Sequence, residues 1–323
     1  AWIEHANAAD VVKESVTQWL GAHVTSLEAS HVLAGWLDFS REPNLIDRYV
    51  RGWLPNHAKA FEEGSYVLRT WLRAGGDPAF GLPYVLEWLS IHGEVPDAQF
   101  VLAAWLKAKN NPHPLKDSVS KWLHHHGADV EASHVIGPWL DGGGEYSVVS
   151  QSAIPWANRY GAAFEAWHVL VACLRAKGAC GVFEVPATKW LTLHADTLPA
   201  AHLLSAWLKL GLEPRKIALF VERWLGAHTS RYRASNVISA WIDARGILAT
   251  VREPMLRWLA GRQPSDNTSW VLVSWLRAGG AREDVARYVE SYLANGDNQK
   301  SVAALRSSWA NRSQQAPPFR RPC

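Results

Sequence analysis

The stretch EASHVLAGWLD at residues 28–38 recurs as EASHVIGPWLD at residues 131–141 and as RASNVISAWID at residues 233–243. Its tryptophan belongs to a longer series, in which a tryptophan falls about every 17 residues along the chain. The series comprises Trp2, Trp19, Trp36, Trp53, Trp71, Trp88, Trp105, Trp122, Trp139, Trp156, Trp190, Trp207, Trp224, Trp241, Trp258, Trp275 and Trp309. A fixed period over nearly the whole chain is the signature of one small unit stacked many times.

Alternate members of the series belong to two different segments, so one full repeat spans about 34 residues. We call these segments the A helix and the B helix, and the periodic residue of each its grid residue. The A grid residues are Trp36, Trp71, Trp105, Trp139, Cys173, Trp207, Trp241 and Trp275. The B grid residues are Trp19, Trp53, Trp88, Trp122, Trp156, Trp190, Trp224, Trp258 and Tyr292.

Apolar residues accompany the A grid residue at fixed offsets. The residues four and three positions before it and the residue after it are Val, Leu or Ile, as Val32, Leu33 and Leu37 are around Trp36. These offsets form one stripe on an α-helix and fit no strand pattern. We therefore predict an all-α protein, an α-solenoid of about nine helix-turn-helix repeats forming a right-handed superhelix. It occupies residues 1–310, and residues 311–323 are predicted to be a disordered tail.

Residue types at the helix ends refine this prediction. Four glycines stand four residues after an A grid residue, where they suit a left-handed C-cap: Gly75, Gly143, Gly211 and Gly279. Four prolines within the B segments predict that several B helices are short or kinked: Pro83, Pro155, Pro186 and Pro254. Six B helices end on a histidine that we expect to bond free carbonyls at its own helix end: His23, His57, His92, His126, His194 and His228.

Two columns of the A helix lie on one face, pointing away from the grid residue. The aromatic column, five residues before it, is His31, Tyr66, Phe100, His134, His168, His202, Asn236 and Trp270. The charged column, two residues after it, is Asp38, Arg73, Lys107, Asp141, Arg175, Lys209, Asp243 and Arg277. We call the surface formed by both columns the A face, and small residues beside the grid residue predict that it is concave.

We predict that the A face binds a partner through the aromatic column, except Asn236, and through Arg73, Lys107, Arg175, Lys209 and Arg277. The alternative is that the aromatic column packs between neighbouring A helices and that the charged column is only solvated.

Composition excludes several classes of protein. The net charge of +3 comes from 33 basic and 30 acidic residues, and three of the basic ones lie in the predicted tail. The balanced body lacks the basic footprint of a non-specific nucleic-acid binder. The three cysteines predict reduced, cytoplasmic thiols rather than a disulfide framework, and no apolar stretch is long enough for a membrane span.

The sequence contains few residue patterns that are typical of a catalytic site. Ten of the 14 histidines fall in the two columns of the A and B helices described above. His124, His125 and His126 form the only run, and a metal-dependent enzyme built on it is a remote alternative. Glycine clusters follow helices instead of preceding them, so they do not fit a phosphate-binding loop. We predict a protein that is not an enzyme and needs no cofactor and no metal.

The 34-residue, two-helix unit resembles tetratricopeptide repeats in length and layout. It resembles HEAT-like repeats in how loosely its residue pattern is kept. It departs from the tetratricopeptide pattern because Trp-Leu stands in both helices. Arrays of this kind are often the C-terminal sensors of bacterial STAND-type NTPases, including antiviral defence proteins. The chain begins one residue before Trp2, so we expect a fragment of a longer protein.

These observations predict a non-catalytic scaffold that binds a protein or peptide, with the resemblance implying a sensor region of a larger protein. The runner-up is a nucleic-acid-binding HEAT-like array, in which Arg73, Arg175 and Arg277 contact phosphates. The oligomeric state would then depend on the region preceding Ala1.

Overall fold

A computed structural model describes residues 8–40, 43–176, 180–296 and 298–310 of the chain. The protein is all-α and 79% helical, and the described ranges contain eighteen α-helices and no strand. Neighbouring helices contact each other in sequence order, which confirms the predicted α-solenoid class. Trp2 and the predicted tail lie outside the described residues. Contacts within the chain cluster into two compact units, which divide between Trp156 and Ala157.

In unit 1 the A and B helices alternate as the grid predicts. The A helices are α2 (Ala29–Ser40), α4 (Phe61–Arg73), α6 (Ala98–Lys107) and α8 (Ser133–Asp141). The B helices are α1 (Ala8–His23), α3 (Pro43–His57), α5 (Pro78–His92), α7 (Lys116–His126) and α9 (Tyr146–Tyr160), and the boundary between the units lies within α9. Short 3-10 turns at His113–Leu115 and Val130–Ala132 precede α7 and α8.

Unit 2 repeats the same alternation. Its A helices are α10 (Trp167–Arg175), α12 (Ala200–Lys209), α14 (Ala234–Asp243), α16 (Asp266–Arg277) and α18 (Gln299–Ala310). Its B helices are α11 (Glu184–His194), α13 (Ala218–His228), α15 (Leu248–Ala260) and α17 (Arg282–Asn295). The 3-10 turns Phe164–Ala166, Cys180–Phe183 and Pro214–Ile217 precede α10, α11 and α13.

Within each unit, every A helix packs directly on the A helix of the next repeat, whereas successive B helices contact each other less. Small residues beside the grid residue, such as Ala172 and Ala206, are buried and permit this close approach. The concave placement of the A face and the hand of the superhelix stay predictions.

The grid residues form the core. Ten tryptophans from Trp53 to Trp275 are among the largest fully buried side chains, and Cys173 and Tyr292 occupy the same grid positions with 0% and 1% exposure. A buried tryptophan removes about 150–250 Å² from water, which contributes on the order of 4–6 kcal/mol before entropy is subtracted. Trp19, on the first described helix, is 37% exposed. The tryptophan series therefore stabilises the stack and is not a ligand-binding ladder.

The indole N–H groups of the A and B helices donate to different partners. In five A helices the indole donates to the carbonyl six residues later, in the turn that follows its own helix, as Trp139 donates to Glu145 O at 2.9 Å. In seven B helices it donates to the loop before the preceding A helix, as Trp122 donates to Val95 O at 3.0 Å. The A tryptophan fixes its own turn, and the B tryptophan joins consecutive repeats.

The histidines that end the B helices differ from the prediction. In five of the six, all except His23, the Nε2 atom bonds a carbonyl 32 or 33 residues earlier, as in His92 with Lys59 O at 2.9 Å, and not the free carbonyls of its own helix. Each imidazole also lies about one helical turn from its grid tryptophan, with ring centroids 4.7–5.2 Å apart. The expected structural role holds, but its partner is the previous repeat, because the last turn of the helix lies against that loop.

We expect His126→Ala to lower the free energy of unfolding by about 1–2 kcal/mol, because it removes both the hydrogen bond to Glu94 O and the packing of the imidazole on the Trp122 ring. His124→Ala is the matched control on the same helix, and since its side chain is exposed we expect a change within about 0.5 kcal/mol. Urea unfolding followed by far-UV circular dichroism measures both. Equal losses for the two variants would contradict the repeat-joining role of His126.

The turns after the A helices confirm the predicted C-caps. Gly75, Gly143, Gly211 and Gly279 all have positive φ, between 68° and 90°, and Lys109 and Arg245 adopt the same conformation at this position. The next residue closes a Schellman motif, as Gly280 N donates to Trp275 O at 2.9 Å and Gly279 N donates to Leu276 O at 3.2 Å. In four repeats that residue is a glycine lying flat against the grid indole: Gly76, Gly144, Gly246 and Gly280.

The B helices were predicted to be short or kinked at their prolines, and as to length the prediction is wrong. Pro83, Pro155 and Pro254 lie inside helices of 15, 15 and 13 residues, whereas α7 and α13, which have no internal proline, have 11 residues. Pro186 is the third residue of α11, where its missing N–H is of little consequence. Packing of the flanking turns outweighs the one backbone bond that an internal proline forfeits.

Candidate binding surface on the A helices

All eight residues of the charged column are exposed, each at the last turn of its A helix. Arg73 Nη2 lies 3.2 Å from Asp38 Oδ1 on the neighbouring A helix, so these two charges are already paired. Among the described residues, Lys107, Lys209, Asp243 and Arg277 form no ion pair. The charged column therefore has unpaired charges at some positions, whereas at others the charge is neutralised by an ion pair within the chain.

The aromatic column is exposed in part and packed in part. The Arg69 guanidinium lies 4.8 Å from the centroid of Tyr66 and 5.5 Å from that of Phe100, which joins α4 to α6. His134 Nδ1 lies 2.9 Å from Gln99 Oε1, again between neighbouring A helices. His31 and His134 are exposed and His168 is half-buried. At Tyr66, Phe100 and His134 the structure thus supports the alternative of packing between A helices.

His202 is held by its neighbours in unit 2. Its ring stacks on Trp167 at 5.0 Å, and its Nε2 accepts a hydrogen bond from Arg233. Burial lowers the pKa of His202, and the positive charges of Arg233 and Arg175 lower this pKa further. The imidazole is therefore neutral at neutral pH and accepts from Arg233 instead of repelling it.

Trp270 is the exception in its column. Its side chain is 57% exposed, and no aromatic, cation or hydrogen-bond contact of its side chain occurs within the part of the chain that the structure describes. A tryptophan costs free energy when it stays in water. Of the predicted contact residues, Trp270 offers the largest free apolar surface.

Each unit carries a cleft on its A face. The first cleft, in unit 1, has a volume of about 350 Å³ and is lined by Asp38, Arg73 and Lys107 together with Thr70 and small apolar residues. The second cleft, in unit 2, has a volume of about 560 Å³ and is lined by residues of α12, α14 and α16. Its polar and aromatic lining is Lys209, Ser235, Asn236, Ser239, Asp243, Trp270, Ser274 and Arg277. The structure thus brings the two predicted columns together in the second cleft, through Asn236 and Trp270, whereas the first cleft contains residues of the charged column only.

Sequence reasoning missed the serines of the second cleft. Ser274 stands one residue before its grid tryptophan, among the small residues that predict close packing, and Ser239 stands two residues before its own, where no role was predicted. The signal was present in the sequence, because the corresponding residues of α6 are both alanine while α14 and α16 carry hydroxyl groups there. A packing position does not require a hydroxyl group.

The histidine run does not assemble a metal centre among the residues that the structure describes. No group of three or more His, Cys, Asp or Glu side chains in those ranges could hold a metal ion. His126 bonds Glu94 O, and His125 Nε2 lies 3.8 Å from Glu94 Oε2. The run therefore lies at a contact between two repeats.

No protein-family model matches the chain, and neither does any curated protein or solved structure. In the described ranges, no helix combines the length and apolar character that a membrane-crossing helix needs.

Proposed function

We propose that this protein is a non-catalytic repeat scaffold whose A face binds a protein or peptide. The observation that carries the proposal is the position of the two clefts, one in each unit, both on the A face and both lined by the charged column. Concave, partly apolar clefts with a few convergent polar groups are typical of ligand-binding surfaces. A folded protein or an extended segment lying along the A helices would contact both columns.

Binding of nucleic acid is the less favoured alternative. Every third residue of the charged column is an aspartate, and Arg73 is already paired with Asp38. Phosphates lying along this column would meet Asp38, Asp141 and Asp243 in turn, at a cost in repulsion. A protein partner with both signs of charge meets no such obstacle.

The finer form of the proposal is a sensor region of a larger, STAND-type defence or signalling protein. It rests on the resemblance of the array to such sensors. Sequencing the coding region before Ala1 tests it, since the sensor role requires an NTPase or nuclease module in the same polypeptide.

The test of A-face binding compares two variants that carry the same change in charge. The A-face variant has Arg73, Lys107, Arg175, Lys209 and Arg277 replaced by glutamate. The control variant has five exposed cations of the B helices and their approaches replaced by glutamate: Lys13, Lys121, Lys189, Arg215 and Arg257. We expect pull-down with the A-face variant to recover about tenfold less of each partner that the unaltered chain captures, and the control to recover it fully.

Equal recovery by the A-face variant would remove this face as the binding surface. If the captured species is nucleic acid and its binding falls steeply with salt, the alternative function replaces the proposed one.

A further inference from the structure

The second cleft differs from the first in its free charge, its exposed tryptophan and its buried hydroxyl groups. Building on the proposed function, we propose that this cleft binds an extended acidic peptide in the polyproline II conformation. Its carboxylates pair with Lys209 and Arg277, a basic side chain between them pairs with Asp243, and an apolar side chain covers Trp270. The peptide runs across α12, α14 and α16.

Two hydroxyl groups show that the cleft is built for a polar ligand. The Ser239 Oγ atom is buried and has no hydrogen-bond partner among the described residues. Ser274 is nine-tenths buried, and no partner of its side chain occurs in the described ranges. Both serines line the cleft. A buried hydroxyl group without a partner, as at Ser239, is costly, and the carbonyl oxygens of a bound peptide would accept from both serines.

The charges around the cleft favour an acidic partner. Lys209 and Arg277 are exposed and unpaired among the described residues, and Arg233, at the start of α14, adds a third cation. Most A helices have an acid eight residues before the grid residue, but at this place α12, α14 and α16 have Pro199, Arg233 and Asn267.

The first cleft has fewer unpaired charges. Arg73 is paired with Asp38, and the positions eight residues before the grid tryptophans of α4 and α6 are Glu63 and Asp97. An acidic peptide therefore meets two unpaired cations, Lys209 and Arg277, in the second cleft but only one, Lys107, in the first. This difference provides a matched control within the same chain.

The spacing of the charges specifies the peptide. Packed helices lie about 8–10 Å apart, so Lys209, Asp243 and Arg277 on consecutive A helices follow one another at about that interval. A polyproline II peptide has three residues per turn and rises about 3.1 Å per residue, so every third side chain points to the same side at about 9 Å. A fully extended strand would present alternate residues instead. The matching pattern is acid–x–x–base–x–x–acid with an apolar residue nearby.

The backbone of such a peptide also matches the serines. A polyproline II segment has no internal hydrogen bonds, so its carbonyl oxygens are free to accept from Ser239 and Ser274. Because this conformation is already populated in unfolded peptides, binding orders the peptide at a low entropic cost.

The experiment selects a displayed library of random dodecapeptides on three forms of the full chain. These are the unaltered chain, the second-cleft variant K209E/D243K/R277E and the first-cleft variant R73E/K107E. All the replaced side chains are exposed, so the fold is retained, which circular dichroism and thermal unfolding verify. We expect the unaltered chain and the first-cleft variant to enrich acid–x–x–base–x–x–acid peptides. The second-cleft variant is expected to enrich the reversed pattern, base–x–x–acid–x–x–base.

A fluorescein-labelled peptide of the enriched pattern then gives affinities by fluorescence anisotropy. We expect W270A to weaken its binding by about tenfold or more, since truncating an aromatic contact at the centre of an interface has effects of this size. The exposed Tyr232, at 65% exposure outside the cleft, supplies the control Y232A, which is expected to leave the affinity unchanged.

Two outcomes overturn this inference without removing A-face binding. One is enrichment of the same peptides by the second-cleft variant, and the other is loss of the peptides only in the first-cleft variant. Failure to enrich any peptide, or binding of a labelled oligothymidylate with the same dependence on Lys209 and Arg277, also overturns it. The pull-down comparison of the A-face variant tests the wider function separately.

Discussion

Replacing Trp190 with alanine is expected to lower the free energy of unfolding by about 3–5 kcal/mol. Trp190 lies on α11 and is 0% exposed, and its indole N–H donates to Ala163 O at 2.9 Å. The substitution leaves a large cavity, removes the donor to the preceding loop and takes away the ring on which His194 packs. This single substitution therefore removes three interactions at the contact between two repeats.

Trp190→Phe separates these contributions, because it keeps much of the apolar contact but loses the donor. We expect its destabilisation to lie between that of Trp190→Ala and that of the control Leu219→Ala on α13, whose side chain is 73% exposed and which should change stability by less than about 0.5 kcal/mol. Urea unfolding gives the free energies, and hydrogen exchange locates the loss. A loss below about 1 kcal/mol for Trp190→Ala would show that the tryptophans do not hold the stack together.

Gly246→Ala is expected to destabilise the protein by about 1–3 kcal/mol, whereas Gly226→Ala is expected to stabilise it by about 0.5–1 kcal/mol. A Cβ at Gly246 would approach the Trp241 ring closer than the 3.0 Å that real Cβ atoms keep. At Gly226, inside α13, an added Cβ meets nothing within 4 Å. The same chemical change should thus have opposite signs at two positions 20 residues apart in the sequence.

Thermal unfolding of the two variants beside the unaltered chain measures this difference. Gly181→Ala is a further control, since its surroundings are open but it precedes the helix instead of lying within it. If Gly246→Ala proves neutral, the indole of Trp241 can move, and the glycine after the C-cap is then not required by packing.

The helices could be predicted from the sequence because their signal is local and repeated. The offsets around Trp36 recur in the eight A helices from α2 to α16, so eight copies of one pattern locate these helices of the structure. The C-cap glycines were predictable for the same reason, since Gly75 and Gly279 follow their grid residues at a constant distance. When the same short-range pattern occurs in many segments, the choice between helix and strand no longer depends on any single segment.

The bonds between repeats could not be predicted in the same way. The partner of His92 is the carbonyl of Lys59, and any residue type can supply a carbonyl there. Its position depends on how one repeat lies on the previous one, which side-chain chemistry does not encode. The helix containing Pro83 was misjudged for a related reason, because packing outweighed a local preference.

The candidate surface was predictable in outline but not in detail. Both columns line the second cleft, yet the sequence did not distinguish Phe100, which lies beside Arg69, from Trp270, which is free. That difference depends on which neighbour lies within reach across the A helices. The presence of Ser239 and Ser274 in the cleft was not predicted, because a small residue near a grid tryptophan is compatible with close packing whether or not it carries a hydroxyl group.

The direction of the indole bonds has a consequence for synthesis on the ribosome. Seven B tryptophans bond a loop that precedes them by 26 to 28 residues, and five A tryptophans bond a turn only six residues ahead. When a new helix pair emerges, the acceptors for its long-range bonds have therefore already been made. The protein can gain its structure one pair at a time behind the growing end, without waiting for any distant segment.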